Sequence, residues 1–406
     1  MKPEALSAYA DRIESDLRQN ILPFWLRHSV DRERGGIIGE MSNDLVINRT
    51  VPRGALLSSR ILWTFSSAYR KYNDAAYLAL ADSAYADLRQ YFYDSENGGY
   101  YWSIAADGRP VQKRKQIYGQ AFAIYALTEY HRATGRREPL DQAIAVYLLI
   151  EQHAHDRKEG GYFEAFDADW RIIDDVRLSP VDLNEPKSQN THLHLMEAYT
   201  NLLRVWPDAG LRSAQAALVD TMLTRIFDQK TYHLGLFFSA DWQLRCDRFS
   251  YGHDIEAAWL MHEAAWVLGD PLLRARVKNI SVKIADVTLA EGIDTDGAVF
   301  NEGGPGGLTN TDKDWWPQAE AMVGFLDAYE IGGDERHLKA ALRTWDFIET
   351  KLVDRAHGEW LRGVTRKGDL LAGQPKLSFW KCPYHNGRAG IEACSRLRSL
   401  AAKSSS

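Results

Sequence analysis

The sequence predicts an all-α fold, an (α/α)6 barrel of six helical hairpins with short β-hairpin loops. Three observations predict it. A turn motif recurs six times, two helix-period stretches separate successive copies, and the first stretch of each pair is the less charged. The motif is an Asp, a few polar residues, one or two Gly, then aromatic or β-branched residues. It reads DRERGGIIGEM from Asp31, DSENGGYYWSI from Asp94 and DRKEGGYFEAF from Asp156. Looser copies are DQKTYHLGLFF from Asp228, DTDGAVFNEG from Asp294 and DRAHGEWLRGV from Asp354. The Asp residues are 63, 62, 72, 66 and 60 apart. Asp and Gly at those offsets suit a turn, and the residues after them suit a short strand. One copy carries little weight; six at near-constant spacing mark a repeat architecture.

The helices follow in order. An N-terminal helix is expected near 3–25. Pairs then fall at 54–72 with 75–93, 116–134 with 140–155, 190–205 with 211–227, 253–268 with 272–289, and 317–331 with 335–352. A last helix at 384–400 completes twelve. In the first pair Leu56, Arg60, Trp63, Thr64 and Ser67 recur three and four apart, the small residues allowing close packing. Six hairpins can stack as an open solenoid, in which each touches only its neighbours. They can also close into a double ring with one helix of each pair inside. Low charge in the first helices suits an inner ring covered on both sides, and closure lets the first and last helices cover each other. Length alone would suggest two or three domains; the repeat implies one, spanning 1–406, with the SSS at 404–406 as a tail.

Composition narrows the function. The formal charge is −6, the apolar fraction 45% and the charged fraction 26%, ordinary for a soluble chain. There is no basic stripe for nucleic acid and no apolar run of membrane-spanning length. The start MKPEALSAYADRIESDLRQN lacks a signal-peptide core. Cys246, Cys382 and Cys394 are never closely paired, so a cytoplasmic, reduced protein is expected, monomer or homodimer.

The first helices carry polar residues where a core helix should be apolar. These are Arg60; Tyr118 and Gln120; Asn190, His192 and His194; His253 and Glu256; Trp315, Trp316 and Glu320; and His385 with Arg388. Arg60 is 60 residues from Gln120, His194 is 59 from His253, and Glu320 is 65 from His385, intervals read as equivalent repeat positions. Equivalent positions in a ring lie at one end, so the set converges on one pocket. His253 and Glu256, three apart, share a face, and the carboxylate is expected to orient the imidazole. His194 shares a face with Asn190; His192 diverges from it. Trp63 is expected to fill core, whereas Trp315, Trp316 and Trp380 fit a sugar-stacking wall. No zinc site is expected, since His192, His194 and His253 lack the usual helical ligand spacing and no Cys joins them. GGPGG at 303–307 reads as a flexible loop, not a phosphate cradle.

The strings RGALLSSRILWTF, NTHLHLMEAYTNL, GHDIEAAWLM, WWPQAEAMVGFL and FWKCPYHNGR, in consistent order over 21–397, resemble the N-acylglucosamine 2-epimerase superfamily. Within it they are most similar to the branch acting on cellobiose and lactose. The resemblance implies a six-hairpin α/α barrel, chemistry without a cofactor, and epimerisation at C-2 of a reducing-end glucose in β-1,4-linked disaccharides. It implies that His253 and His385 are the acid/base pair and His194 the third histidine, beside Asn190. Arg60, Tyr118, Glu256, Trp316, Trp380 and Asp182 match substrate-site positions; Glu320 joins them from its place on the pocket helices. Cys382 departs from the expected Gly.

The chemistry fits these residue types. A C-2 proton is acidic only when C-1 is a carbonyl, so the sugar ring must open first. His385 would remove the proton, giving an enediolate, and His253 would return one to the opposite face. Both tasks suit a group titrating near neutrality. Arg60, Asn190 and Tyr118 would stabilise the oxyanion, and His194 would bind the open-chain oxygens. Rival readings are a monosaccharide epimerase or isomerase, a glycoside hydrolase using two of Glu256, Glu320 and Asp182, and a non-catalytic helical scaffold.

Overall fold

The computed structural model describes residues 2–404; the last two residues of the SSS tail lie outside the described residues. The helices are α1 (Pro3–Asp16), α2 (Leu22–His28), α3 (Ala55–Tyr72), α4 (Ala75–Asp87), α5 (Ile117–Thr134), α6 (Arg137–His153) and α7 (Gln189–Leu203). After them come α8 (Ala209–Thr221), α9 (Tyr251–Leu268), α10 (Pro271–Glu291), α11 (Trp315–Gly332), α12 (Glu335–Phe347) and α13 (Tyr384–Ser404). The six helices α3, α5, α7, α9, α11 and α13 each pack on the next, and α13 packs back on α3. The ring is closed, which decides for the toroid over the solenoid. Outside it α1, α4, α6, α8, α10 and α12 each cover one inner helix, α1 lying on α13. Among the described residues no helix is long and apolar enough to cross a membrane.

Sequence explains which helix goes inside. Every residue of α3 from Ala55 to Ala68 is buried, a run of small and apolar side chains that suits contact all round. In α6 only Pro139, Leu140, Ala143, Val146, Tyr147 and Ile150 are buried, one stripe at helical spacing. The corner from inner to outer helix is tight. Gly269 and Gly333 end α9 and α11 with φ of 80° and 72°, where a Cβ is disfavoured. The next residues, Asp270 and Asp334, then cap α10 and α12 by accepting from Leu272 and Arg336 N–H.

The way back in is the Asp–Gly turn. Six antiparallel bridges flank the six turns: Val30 with Ile37, Tyr93 with Tyr100, His155 with Tyr162, Phe227 with Leu234, Ile293 with Val299, and Val353 with Trp360. Four turn aspartates are met by buried lysines just before the next inner helix: Asp94 by Lys115 (2.7 Å), Asp156 by Lys187 (2.7 Å), Asp294 by Lys313 (2.9 Å) and Asp354 by Lys376. The residues entering each inner helix also ladder with the following hairpin. Lys115–Gln116 pairs with Ala165–Phe166, Lys187–Ser188 with Phe237–Phe238, and Lys313–Asp314 with Gly363–Val364. A bridge from Met41 to Leu377 joins the two ends of this belt. The belt surrounds the N-terminal ends of the inner helices and frames the mouth of the ring. GGPGG, expected to be a flexible loop, is instead the tip of an antiparallel pair, Glu302–Gly304 with Gly307–Asn310.

Candidate functional site

Gly54, Gln116, Ser188, Ser250 and Asp314 immediately precede inner helices. The sixth residue after each is Arg60, Phe122, His194, Glu256 and Glu320, and the same step from Cys382 gives Arg388. All six are buried. This register corrects the expected one, which matched Arg60 to Gln120, His194 to His253 and Glu320 to His385. Gln120 stands two residues earlier, about 200° round its helix. There it faces the hairpin, accepting from Tyr100 N–H (2.9 Å) and donating to Tyr100 C=O (2.7 Å). Its equivalents do the same: His192 Nε2 accepts from Tyr162 N–H (2.9 Å), Asp254 from Leu234 N–H (2.9 Å) and Gln318 from Val299 N–H (2.7 Å). His192 is therefore a hairpin clamp, turned away from the ring as its spacing predicts.

His253 is the third residue of α9 and His385 the second of α13, each about one turn nearer the mouth than Glu256 and Arg388. Trp316 lies between them, its ring 4.6 Å from His253 and 5.6 Å from His385. His385 Nδ1 donates to Glu320 (2.6 Å), and His194 Nδ1 to Glu197 (2.9 Å). Each bond fixes the tautomer and leaves Nε2 as a bare acceptor. His253 Nδ1 has no hydrogen-bond partner among the described residues. The expected Glu256–His253 pair is not formed. Glu256 instead accepts from Arg388 (2.8 Å), because a guanidinium outcompetes a neutral imidazole for a carboxylate.

Arg388 is the centre of the floor. It donates to Glu320 (2.7 Å) and Glu256, and to Glu197 and the Tyr384 hydroxyl. Glu320, expected to touch substrate, has both oxygens engaged: Oε1 by His385 and Arg388, Oε2 by the Trp259 indole (3.1 Å). It is a support for His385, with no free edge for sugar. Burial pushes both carboxyls up. At Glu320, the Arg388 charge and the hydrogen bond from His385 outweigh that and bring it to about 2. At Glu256, the charge of Glu320 adds to burial and holds the pKa well above the ordinary carboxylate value. Burial likewise drives His253 to about 3, reinforced by the charges of His194 and His385. Burial takes His385 to about 3 against the pull of Glu320, and it lowers His194. All three imidazoles are neutral at pH 7, able to accept a proton.

The mouth carries the remaining predicted residues in two adjoining clefts that share Arg177 and Leu178. One, of about 380 Å³, is lined by His253, Trp316, Asn190 and Asp182. Asn190 Oδ1 is buried there without a partner among the described residues, whereas Asp182 Oδ2 accepts from Ser179 N–H (2.8 Å) and shapes the loop. The other, of about 610 Å³, is lined by Trp380, Trp102, Phe379 and Arg362. Tyr118 connects them to the floor: its ring is 6.2 Å from Trp380 and 5.0 Å from His194, and its hydroxyl accepts from Arg60 (2.6 Å). Cys382 is buried with Sγ 3.9 Å from Arg60, beside the site as expected of the pocket loop. Trp315 departs from the expected wall. It is buried under Arg362 (5.0 Å) and Lys381 (5.2 Å) and belongs to the core. Trp63 is core, stacked on Tyr125 (5.1 Å).

Sequence reasoning missed Glu197, Tyr384, Trp259 and Trp102. Glu197 was findable, being three residues after His194, the spacing that had been applied to His253 and Glu256.

The comparisons agree with this geometry. A curated cellobiose 2-epimerase from Bacteroides fragilis is 44% identical over 381 residues, 94% of this chain and 97% of that protein. One from Dictyoglomus turgidum is 38% identical, covering 97% and 100%. The solved structure of cellobiose 2-epimerase from Bacillus thermoamylovorans superposes with a TM-score of 0.91 at 38% identity, covering 96% and 99%. The sequence pattern described as N-acylglucosamine 2-epimerase matches residues 36–385. With that match, and with three histidines on the inner helices of a closed α/α ring, the chain belongs to the N-acylglucosamine 2-epimerase family.

Proposed function

We propose that the chain, acting as one catalytic domain, interconverts the glucose and mannose configurations at C-2 of the reducing-end residue of β-1,4-linked disaccharides such as cellobiose. One observation carries the reading: two neutral imidazoles in the first turns of two inner helices, each against the Trp316 ring (4.6 and 5.6 Å). Two bases flanking one flat apolar face suit proton removal on one side of C-2 and return on the other. His385, with Nδ1–H held by Glu320, takes the C-2 proton on Nε2 and becomes an imidazolium whose counter-charge is already in place. His253 delivers to the opposite face of the enediolate a proton that it first takes up from solvent, and the proton held on His385 returns to solvent, so both imidazoles end neutral. Arg60, with Tyr118 on its guanidinium, and the Asn190 side-chain NH2 serve the oxygens on which charge develops, while the Asn190 Oδ1 can accept from a sugar hydroxyl. His194 holds the open-chain sugar. Arg388 is matched within the floor by Glu197 and Glu320, which suits a neutral sugar.

The paired clefts support a disaccharide over a monosaccharide. The reducing residue lies beside His253 and Trp316, and the second residue reaches the Trp102, Phe379 and Trp380 wall. Three free cysteines fit a reducing cytoplasm. Incubation with cellobiose, lactose, mannose and N-acetylmannosamine, followed by product separation, tests the reading. The disaccharides should yield C-2 epimers with little turnover of the monosaccharides. Preferential conversion of mannose or N-acetylmannosamine would replace it, and release of glucose from cellobiose would identify a hydrolase.

A further inference from the structure

The ring has a second opening that the sugar chemistry leaves unused. At the C-terminal ends of the inner helices lies a cavity of about 400 Å³ whose lining includes Trp63, Arg70, Lys71, Arg132, Arg204 and Arg388. Arg388 divides the molecule here: its terminal nitrogens serve the catalytic carboxylates, and the same residue lines the far cavity.

The wall has more cation than anion. Arg70 and Arg132 both donate to a single carboxylate, Glu129 (2.5 and 2.8 Å), and Arg204 is matched by Glu263 (2.8 Å). Glu392, the remaining acidic lining residue, lies 3.6 Å from Arg396 outside the cavity. Lys71 donates to the Ile391 carbonyl (3.0 Å), the Cys394 sulfur (3.0 Å) and the Ser395 hydroxyl (2.6 Å), none of them a carboxylate. Two buried donors also lack acceptors among the described residues: the indole Nε1 of Trp63, a residue 6% exposed, and Nε of Arg388, 2% exposed. Both can only donate. The two orphaned donors and the Lys71 ammonium call for an acceptor-rich ligand. An oxyanion brings acceptors alone, and charge-assisted bonds to it are the strong kind.

We propose that this cavity binds a small multivalent oxyanion, a phosphate or a short polycarboxylate, directly behind the catalytic floor. The site does not depend on the sugar reaction, so binding alone tests it.

The test is calorimetric titration of the full chain with inorganic phosphate and separately with citrate, against sodium chloride at matched ionic strength. It is repeated on Lys71→Met and Trp63→Phe. Lys71 and Trp63 lie outside the catalytic set, so these variants keep the mouth intact. The expected result is saturable one-site binding of at least one of the two anions, which decides between the sources. Kd should rise about tenfold in Lys71→Met, as losing one charge-assisted bond implies, and by less in Trp63→Phe. Phosphate and citrate also stabilise proteins by exclusion from their surface, but that effect acts equally on all variants and does not saturate. Absence of saturable binding of both anions would overturn the proposal. Equal affinity in the wild type and both variants would do so too.

Discussion

The walls on α9 and α13 each present a histidine in the first helical turn and surround it differently. His385 is held by Glu320 at 2.6 Å, with Arg388 behind that carboxylate. His253 has the face of Trp316 at 4.6 Å and an Nδ1 without a partner. The repeat thus supplies two imidazoles, but only one receives a counter-charge. Burial lowers both to about 3, so the difference is one of orientation: Glu320 fixes the tautomer and ring of His385, and His253 has no such partner among the described residues. Similar position does not mean the same role: the helix sets where a base stands, and its neighbours set which nitrogen it presents.

The contrast can be broken at several points. The largest effect is expected from His385→Ala and His253→Ala, each lowering kcat for cellobiose epimerisation by ~10²–10⁴, the usual contribution of a general acid or base. Near-native turnover in either would end the two-base scheme. Next is the pair behind His385. Glu320→Gln keeps a hydrogen bond but removes the counter-charge, and should lower kcat about 10–100-fold. Glu256→Gln keeps an acceptor for Arg388 and leaves the Glu320 carboxylate on His385, and should stay within about threefold of wild type. Equal damage in both would show that contact with His385 is not what sets the effect.

Acidity sharpens the comparison further. Burial holds both His253 and His385 near 3, so the acid limb of kcat/KM should fall below the ordinary histidine value of about 6.5. A limb at 6.5 or above would contradict it. The same shifts carry a stability sign. The unfolded chain binds these protons more readily than the folded one, so stability should decline as pH drops from about 6.5 towards 3; denaturant titrations across that range measure it. The smallest effect on catalysis is expected at Gln120→Ala, which frees the Tyr100 hairpin. It should cost about 1–3 kcal/mol of stability, read by denaturant unfolding, with kcat little changed.

Much of the fold was legible because its signals are local. A turn of Asp and Gly needs only its own few residues, and a fully apolar helix beside a striped one announces which is inside. Closure was less direct, since periodicity says that α13 has a buried face and not that α3 fills it. In the site, the histidines stood out as polar residues on core helices, and family resemblance separated the acid/base pair from the rest. What was lost depended on contacts across the ring. Arg388 meets Glu197, Glu256 and Glu320, which are 191, 132 and 68 residues away. Helical spacing cannot rank those partners against a nearby histidine, so Glu256 was assigned to His253. Trp315 and Trp316 are adjacent, yet one is core and the other faces the cleft, because neighbours on a helix point about 100° apart.

The most direct test of the two-base account is exchange of the C-2 hydrogen with deuterated water in the single-histidine variants, followed by NMR. Wild type should place deuterium at C-2 of the epimerised product. With one base removed, net epimerisation should stop, while the remaining base still exchanges the C-2 hydrogen of the one epimer that faces it. His253→Ala and His385→Ala should therefore label opposite epimers. Labelling of the same epimer by both variants, or a wild-type product that keeps its original hydrogen, would contradict the account.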